Sequence, residues 1–127
     1  MPNSINILKA YIEQALELLS PDGVCFIHHS NFGQIRPLGV EKDNHPGYTH
    51  CRDQSSTASE VKEYIAQMGG KVLIQELVNW GCESLIDCFS VFSLIDSKFE
   101  NEIKIIENYD FMKEAYNCRK HLSNYVF

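Results

Sequence analysis

At 127 residues, with 44% apolar and 22% charged residues interspersed, the chain has room for one domain with its own core and excludes a second independent one or a disordered composition. Its formal charge of -6 comes without any run of Lys or Arg, which excludes the electrostatic footprint of a nucleic-acid binder. No segment reaches the ~20 apolar residues of a membrane span, so no membrane partner is expected and a cytoplasmic location follows by default.

The start, Met1-Pro2-Asn3-Ser4, lacks the basic region of a secretion signal. Ile5, Leu8, Ile12, Ala15, Leu16 and Leu19 then recur at three- and four-residue spacing. They predict a helix, with Ser4 or Asn3 as N-cap and Ser20-Pro21-Asp22-Gly23 as its stop. Val24-Cys25-Phe26-Ile27 is apolar without alternation, the pattern of a strand buried on both faces of a parallel sheet, and it runs out in His28-His29-Ser30-Asn31. Residues 30–56 hold Gly33, Pro37, Gly39, Pro46 and Gly47 and show no sustained period. A connection of that length predicts a functional loop.

Thr57-Ala58-Ser59-Glu60 has capping-box spacing, and Val61, Tyr64, Ile65 and Met68 follow on one helical face before Gly69-Gly70 ends it. Lys71 to Trp80 and Leu85 to Ser93 are β-rich runs joined by Gly81-Cys82-Glu83-Ser84, which predicts an antiparallel pair. From Asp96 onward, Phe99, Ile103 and Ile106, then Met112, Ala115, Tyr116, Arg119 and Leu122, suggest one or two helices. Cys25, Cys51, Cys82, Cys88 and Cys118 are odd in number and form no CxxC pair, so they read as free thiols in a reducing compartment.

A strand, a crossover helix and a second strand make a right-handed parallel unit, and the closing hairpin is expected to add one antiparallel strand at its edge. The expected class is therefore α/β. In open α/β sheets ligands sit beyond the carboxyl ends of the parallel strands. Here that means His28, His29 and Asn31 after the first strand, and Asn79 and Trp80 after the second.

The stretches Tyr11-Ile12-Glu13-Gln14-Ala15-Leu16, Leu19-Ser20-Pro21-Asp22-Gly23 and Val24 through Asn31 (VCFIHHSN) carry a resemblance, as do His50-Cys51-Arg52-Asp53-Gln54-Ser55-Ser56-Thr57 and the runs Gln75 to Gly81 and Leu85 to Phe92. Together they resemble the C-terminal half of a class I S-adenosylmethionine-dependent methyltransferase, of a bacterial subgroup acting on small molecules such as sugars. The likeness spans about residues 5 to 94. It implies a partial Rossmann-like domain over residues 1–95, whose last strand is antiparallel and inserted in the sheet, with a helical extension over 96–127. The family's glycine-rich loop, ribose-holding acid and first four strands have no counterpart. S-adenosylmethionine, the parent family's cofactor, is thus not expected to bind this chain alone, and cofactor-binding residues are expected to be none. A homo-oligomer or a partner chain is expected to supply the missing sheet.

Methyl transfer to a hydroxyl needs in-line placement and a base, and histidine suits that work near neutral pH. His28 and His29 are the catalytic candidates. Alternation turns one ring toward the site and one into a helix-facing layer, and the sequence leaves open which is which. Asn31, His50, Arg52, Asn79 and Trp80 are the candidate substrate contacts, with bracing of the loop or core packing as the plainer alternatives. Asp87 within an apolar strand needs a partner if buried, with Arg52 or a histidine as candidates. Two rivals stand beside this reading. One is a non-catalytic assembly piece. The other is a metal module drawn from His28, His29, His45, His50 and Cys51, against which their spacing argues.

Overall fold

The computed structural model describes residues 5–33, 56–81 and 83–120. In chain order they form α1 (Ile5–Leu18), β1 (Val24–Ser30), α2 (Ala58–Gln67), β2 (Gly70–Val78), β3 (Asp87–Leu94), β4 (Lys104–Asn108) and α3 (Phe111–Lys120). The four strands make one mixed sheet in the order β1-β3-β2-β4.

β3 runs antiparallel to both β1 and β2, while β4 runs parallel to β2. β1 and β2 therefore point the same way but never touch. This corrects the expectation of a parallel pair with the hairpin strand outside it. The Cα register brings Ser30, Asp87 and Val78 to one end of the sheet, with Asn108 beside Val78. The carboxyl ends of β1, β2 and β4 thus share an edge.

β1 also departs from the doubly buried strand that its uniform apolarity suggested. Val24, Phe26 and His28 are exposed, whereas Cys25, Ile27 and His29 turn inward. The reason is position: β1 ends the sheet, and only one of its faces is covered.

The core lies on that covered face. Leu8, Ile12 and Leu16 of α1 and Val61 and Ile65 of α2 press onto Val72 and Phe92. Phe92 is fully buried, so truncating it to alanine should cost about 3–5 kcal/mol. α2 starts as its sequence predicts, the Thr57 hydroxyl accepting from the Glu60 amide at 3.1 Å. It stops at Gly69, whose φ of +90° only glycine adopts cheaply. Gly70 is needed for space, because a Cβ there would meet Ile65 Cγ2 at 2.8 Å and Leu16 Cδ2 at 2.9 Å.

The residues after Asp96 are not purely helical. Ile103 and Ile106 share a helical spacing, but Lys104–Asn108 pairs with the outer edge of β2 as a fourth strand. The segment leading there is clamped by Lys71, whose ammonium donates to the Ser97 and Phe99 carbonyls and to Asn101 Oδ1. A helix begins only at Phe111.

Candidate functional site

Alternation along β1 sends its two histidines to opposite faces. His28 lies on the face away from α1 and α2, with its side chain 39% exposed, while His29 is 6% exposed beneath the helices.

His28 is held by three neighbours. Its Nε2 lies 3.1 Å from Asp87 Oδ1. Its ring stacks on Trp80, with centroids 5.1 Å apart and planes 17° from parallel, and sits 4.9 Å from the Phe89 ring. Phe26 stacks on the far side of Phe89 at 5.2 Å. Phe111, from the first turn of α3, packs against both Trp80 and Phe89. The result is an aromatic row on the open face, with a carboxylate beneath it. Asp87 is almost fully buried, so its charge needs a partner, and the imidazole N–H supplies one. With Nε2–H committed to Asp87, Nδ1 is left as a proton acceptor.

His29 is differently placed. Its Nδ1–H donates to the Ser30 carbonyl at 2.9 Å and its Nε2 accepts from the Ser90 hydroxyl at 2.7 Å. Ser90 Oγ in turn accepts from Gln75 Nε2 at 3.1 Å, which also donates to the Ala58 carbonyl. Burial pushes the His29 pKa down to about 4, so the ring is neutral at pH 7. Both of its nitrogens are used: Nδ1 within β1, and Nε2 in the Ser90–Gln75 chain that links β1, β3, β2 and the start of α2. Beside it, burial raises the Cys88 thiol to about 11, which keeps it protonated.

Asn31 is also buried and spent on structure. Its Nδ2 donates to the Leu85 carbonyl, and its Oδ1 accepts from the Ala58 amide, each at 2.7 Å. It ties the end of β1 to the start of α2 and to the approach to β3. Asn79 Nδ2 donates to the Tyr109 carbonyl at 2.7 Å, and its buried Oδ1 has no hydrogen-bond partner among the described residues. Trp80 is 39% exposed and belongs to the aromatic row. His50 and Arg52 lie outside the described residues, as do His45 and Cys51.

The sheet edge therefore gathers His28 and Trp80 from the sequence-predicted set and adds Asp87, Phe89, Phe26 and Phe111. Asp87 had a histidine among its foreseen partners. Phe89 had a readable signal, since it stands two residues from Asp87 on the same face of β3. Phe111 had none, because its place depends on β4 turning the chain back. A shallow cleft lined by Ala58, Lys62, Gln75, Leu77 and Ile105 lies on the opposite face, away from His28.

The described residues do not suit a nucleotide-type methyl donor. Their one glycine pair ends a helix and opens a strand, the reverse of a strand-to-helix phosphate or ribose cradle. Gly70 is also filled in by Ile65 and Leu16. Among the described residues no three His, Cys, Asp or Glu side chains come together to hold a metal ion. No protein-family model, no curated protein and no solved structure matches this chain.

Proposed function

We propose that this chain supplies the substrate-side edge of a methyl-transfer site acting on a small hydroxylated molecule such as a sugar. The observation that carries the reading is the His28–Asp87 pair, set against Trp80 at the sheet edge that the carboxyl ends of β1 and β2 share on either side of β3. The reversed strand β3 lying between β1 and β2 supports it, because the resemblance in the sequence implies that order.

In this reading His28 is the base. An acceptor hydroxyl would give its proton to Nδ1 as its oxygen bonds to the donor's methyl carbon, whose bond to the sulfonium sulfur breaks with the electron pair left on a neutral thioether; Nε2–H stays on the ring, hydrogen-bonded to Asp87, which fixes the ring and offsets the positive charge that the imidazole gains. Trp80 and Phe89 provide apolar walls against which the C–H face of a sugar ring packs. The methyl donor is held elsewhere, since these residues offer it no cradle, and a solitary chain is expected to be inactive.

Trp80 is the only tryptophan, so its fluorescence reports on this site directly. Titration with a panel of simple glycosides should change that emission, and the change should vanish in His28→Ala. S-adenosylmethionine alone should leave it unaltered and give no heat in calorimetry. Micromolar binding of S-adenosylmethionine, or a panel in which no hydroxylated ligand touches Trp80, would remove the support for the reading.

A further inference from the structure

Trp80, His28, Phe89 and Phe111 close on one another as a loop of four rings. Neighbouring centroids lie 5.1 Å apart from Trp80 to His28, 4.9 Å from His28 to Phe89, 5.6 Å from Phe89 to Phe111 and 5.3 Å from Phe111 back to Trp80. Each spacing is an ordinary ring contact. A further ring slid between two of them needs their centroids at about twice that spacing, roughly 9 Å or more. A sugar ring therefore has no place between Trp80 and Phe89 while Phe111 stays where it is.

Three of the four rings belong to the sheet. His28 and Phe89 are opposite one another on β1 and β3, and Trp80 follows the end of β2. Phe111 alone comes from α3, and α3 is lightly held. Its side chains from Met112 to Cys118 are exposed, Met112 at 47% and Tyr116 at 66%. Among the described residues, two side chains on one face of α3 tie it down. They are the half-buried Phe111 and, one turn on, Glu114, whose Oε2 accepts from Asn108 Nδ2 at 3.1 Å on the exposed surface. A ten-residue helix is marginal by itself in water, so this docking belongs to the weak end of the structure. The segment before it has separate ties: Asn79 Nδ2 donates to the Tyr109 carbonyl, and the Asp110 amide donates to Asn108 Oδ1. The chain can swing after Asp110 and leave β4 in place.

The floor that Phe111 covers has chemistry on both sides. In the Cα register Phe89 stands between His28 of β1 and Glu76 of β2, all three on the open face. Glu76 Oε1 accepts, at 3.2 Å, from the same Asn108 amide that holds Glu114. Lifting α3 breaks only the Glu114 bond. It uncovers Phe89 between an imidazole and a carboxylate, two groups that suit the hydroxyls of a sugar.

We propose that α3 is a lid, closed in this structure, in which Phe111 occupies the place on Trp80 and Phe89 that the ring of the methyl acceptor takes. The lid rests on the methyl-transfer reading and adds regulation to it. The acceptor binds when α3 lifts, and its apparent affinity is the intrinsic one reduced by the fraction of chains that are open.

The test combines Trp80 fluorescence with amide exchange, using methyl glucoside, galactoside and mannoside on the unaltered chain, Phe111→Ala and Glu114→Ala. Protection of β1, β2 and β3 checks that each variant folds. Without ligand, α3 amides should exchange at least about tenfold faster than those of β4, because the helix opens by itself. Phe111→Ala should tighten glycoside binding about tenfold or more, and Glu114→Ala in the same direction by a smaller factor. Added glycoside should lower the protection of α3 in the unaltered chain. Weaker binding in Phe111→Ala, or protection of α3 that rises with glycoside, would make Phe111 a wall of the site and overturn the lid. So would an α3 that exchanges only together with β4, and in that case glycosides that still reach Trp80 leave the methyl-transfer reading standing. Silence of Trp80 toward every glycoside in all three proteins would take down that reading and the lid with it.

Discussion

His28 and Asp87 are diagonal neighbours across β1 and β3: the residue directly opposite Asp87 is Ser30, two positions past His28 on the same face. The pair is asymmetric, with a carboxylate at 4% exposure under an imidazole at 39%. The buried carboxylate therefore dictates the state of the exposed ring. We expect the neutral ring to be almost wholly the Nε2–H tautomer, as read by long-range nitrogen–proton NMR correlations. In Asp87→Ala the ring should relax to a mixture of tautomers and Trp80 emission should shift, while stability falls by only about 1 kcal/mol because His28 is solvated. An unchanged tautomer ratio would mean that Asp87 does not hold the ring.

The other histidine makes stability depend on pH. Its folded pKa of about 4 lies below the 6.5 of an unperturbed histidine, so in the window between them the unfolded chain binds the extra proton. His29 then contributes its full stability above pH 6.5, and that stability drains away as the pH falls toward 4. Urea unfolding should report a loss on the order of 2 kcal/mol between pH 7 and pH 5. In His29→Asn the loss over that window should shrink markedly. An equal pH slope in the two proteins would show that another group governs it.

Much of the frame is legible in the sequence because local signals and packing agree there. Thr57 to Glu60 caps α2, Gly69 stops it, and Leu8, Ile12 and Leu16 face the core at helical spacing. The misreadings share one cause, which is that strand neighbours are not written locally. Val24 to Ile27 is apolar whether a strand is central or terminal. Ile103 and Ile106 fit a helix until the open edge of β2 claims them as β4. The same limit hid Phe111 from the site, whereas His28, Asp87 and Trp80 follow from alternation and strand ends.

Asn31 looked like a substrate contact, and the structure makes it a brace. It joins three segments through two buried hydrogen bonds, so Asn31→Ala strands the Ala58 amide and removes the donor to the Leu85 carbonyl. The expected cost is about 1–3 kcal/mol in denaturant unfolding, most of it from the stranded amide. Asn31→Asp keeps the acceptor at the start of α2 but sets a carboxylate against a carbonyl, so it should recover only part of that cost. A neutral Asn31→Ala variant would free this residue for a binding role.

Lys71 gives the last prediction, because a buried ammonium holds the outer strand in place from a distance. It is 9% exposed at the start of β2, and its donors reach the carbonyls of Ser97 and Phe99 and the Asn101 amide oxygen. β4 follows this clamp and, among the described strands, pairs only with β2, through five residues. Lys71→Met preserves length and apolar stem while removing every donor. Its effect should be local before it is global: amide protection in 104–108 and in α3 should fall by tenfold or more, which corresponds to about 1.4 kcal/mol, while β1 and β3 keep theirs. Phe111 would then leave Trp80 and Phe89, so Trp80 emission should shift without any change at His28 or Asp87. Uniform loss of protection throughout the sheet would instead make Lys71 part of the global core, and the aromatic row would not depend on the clamp.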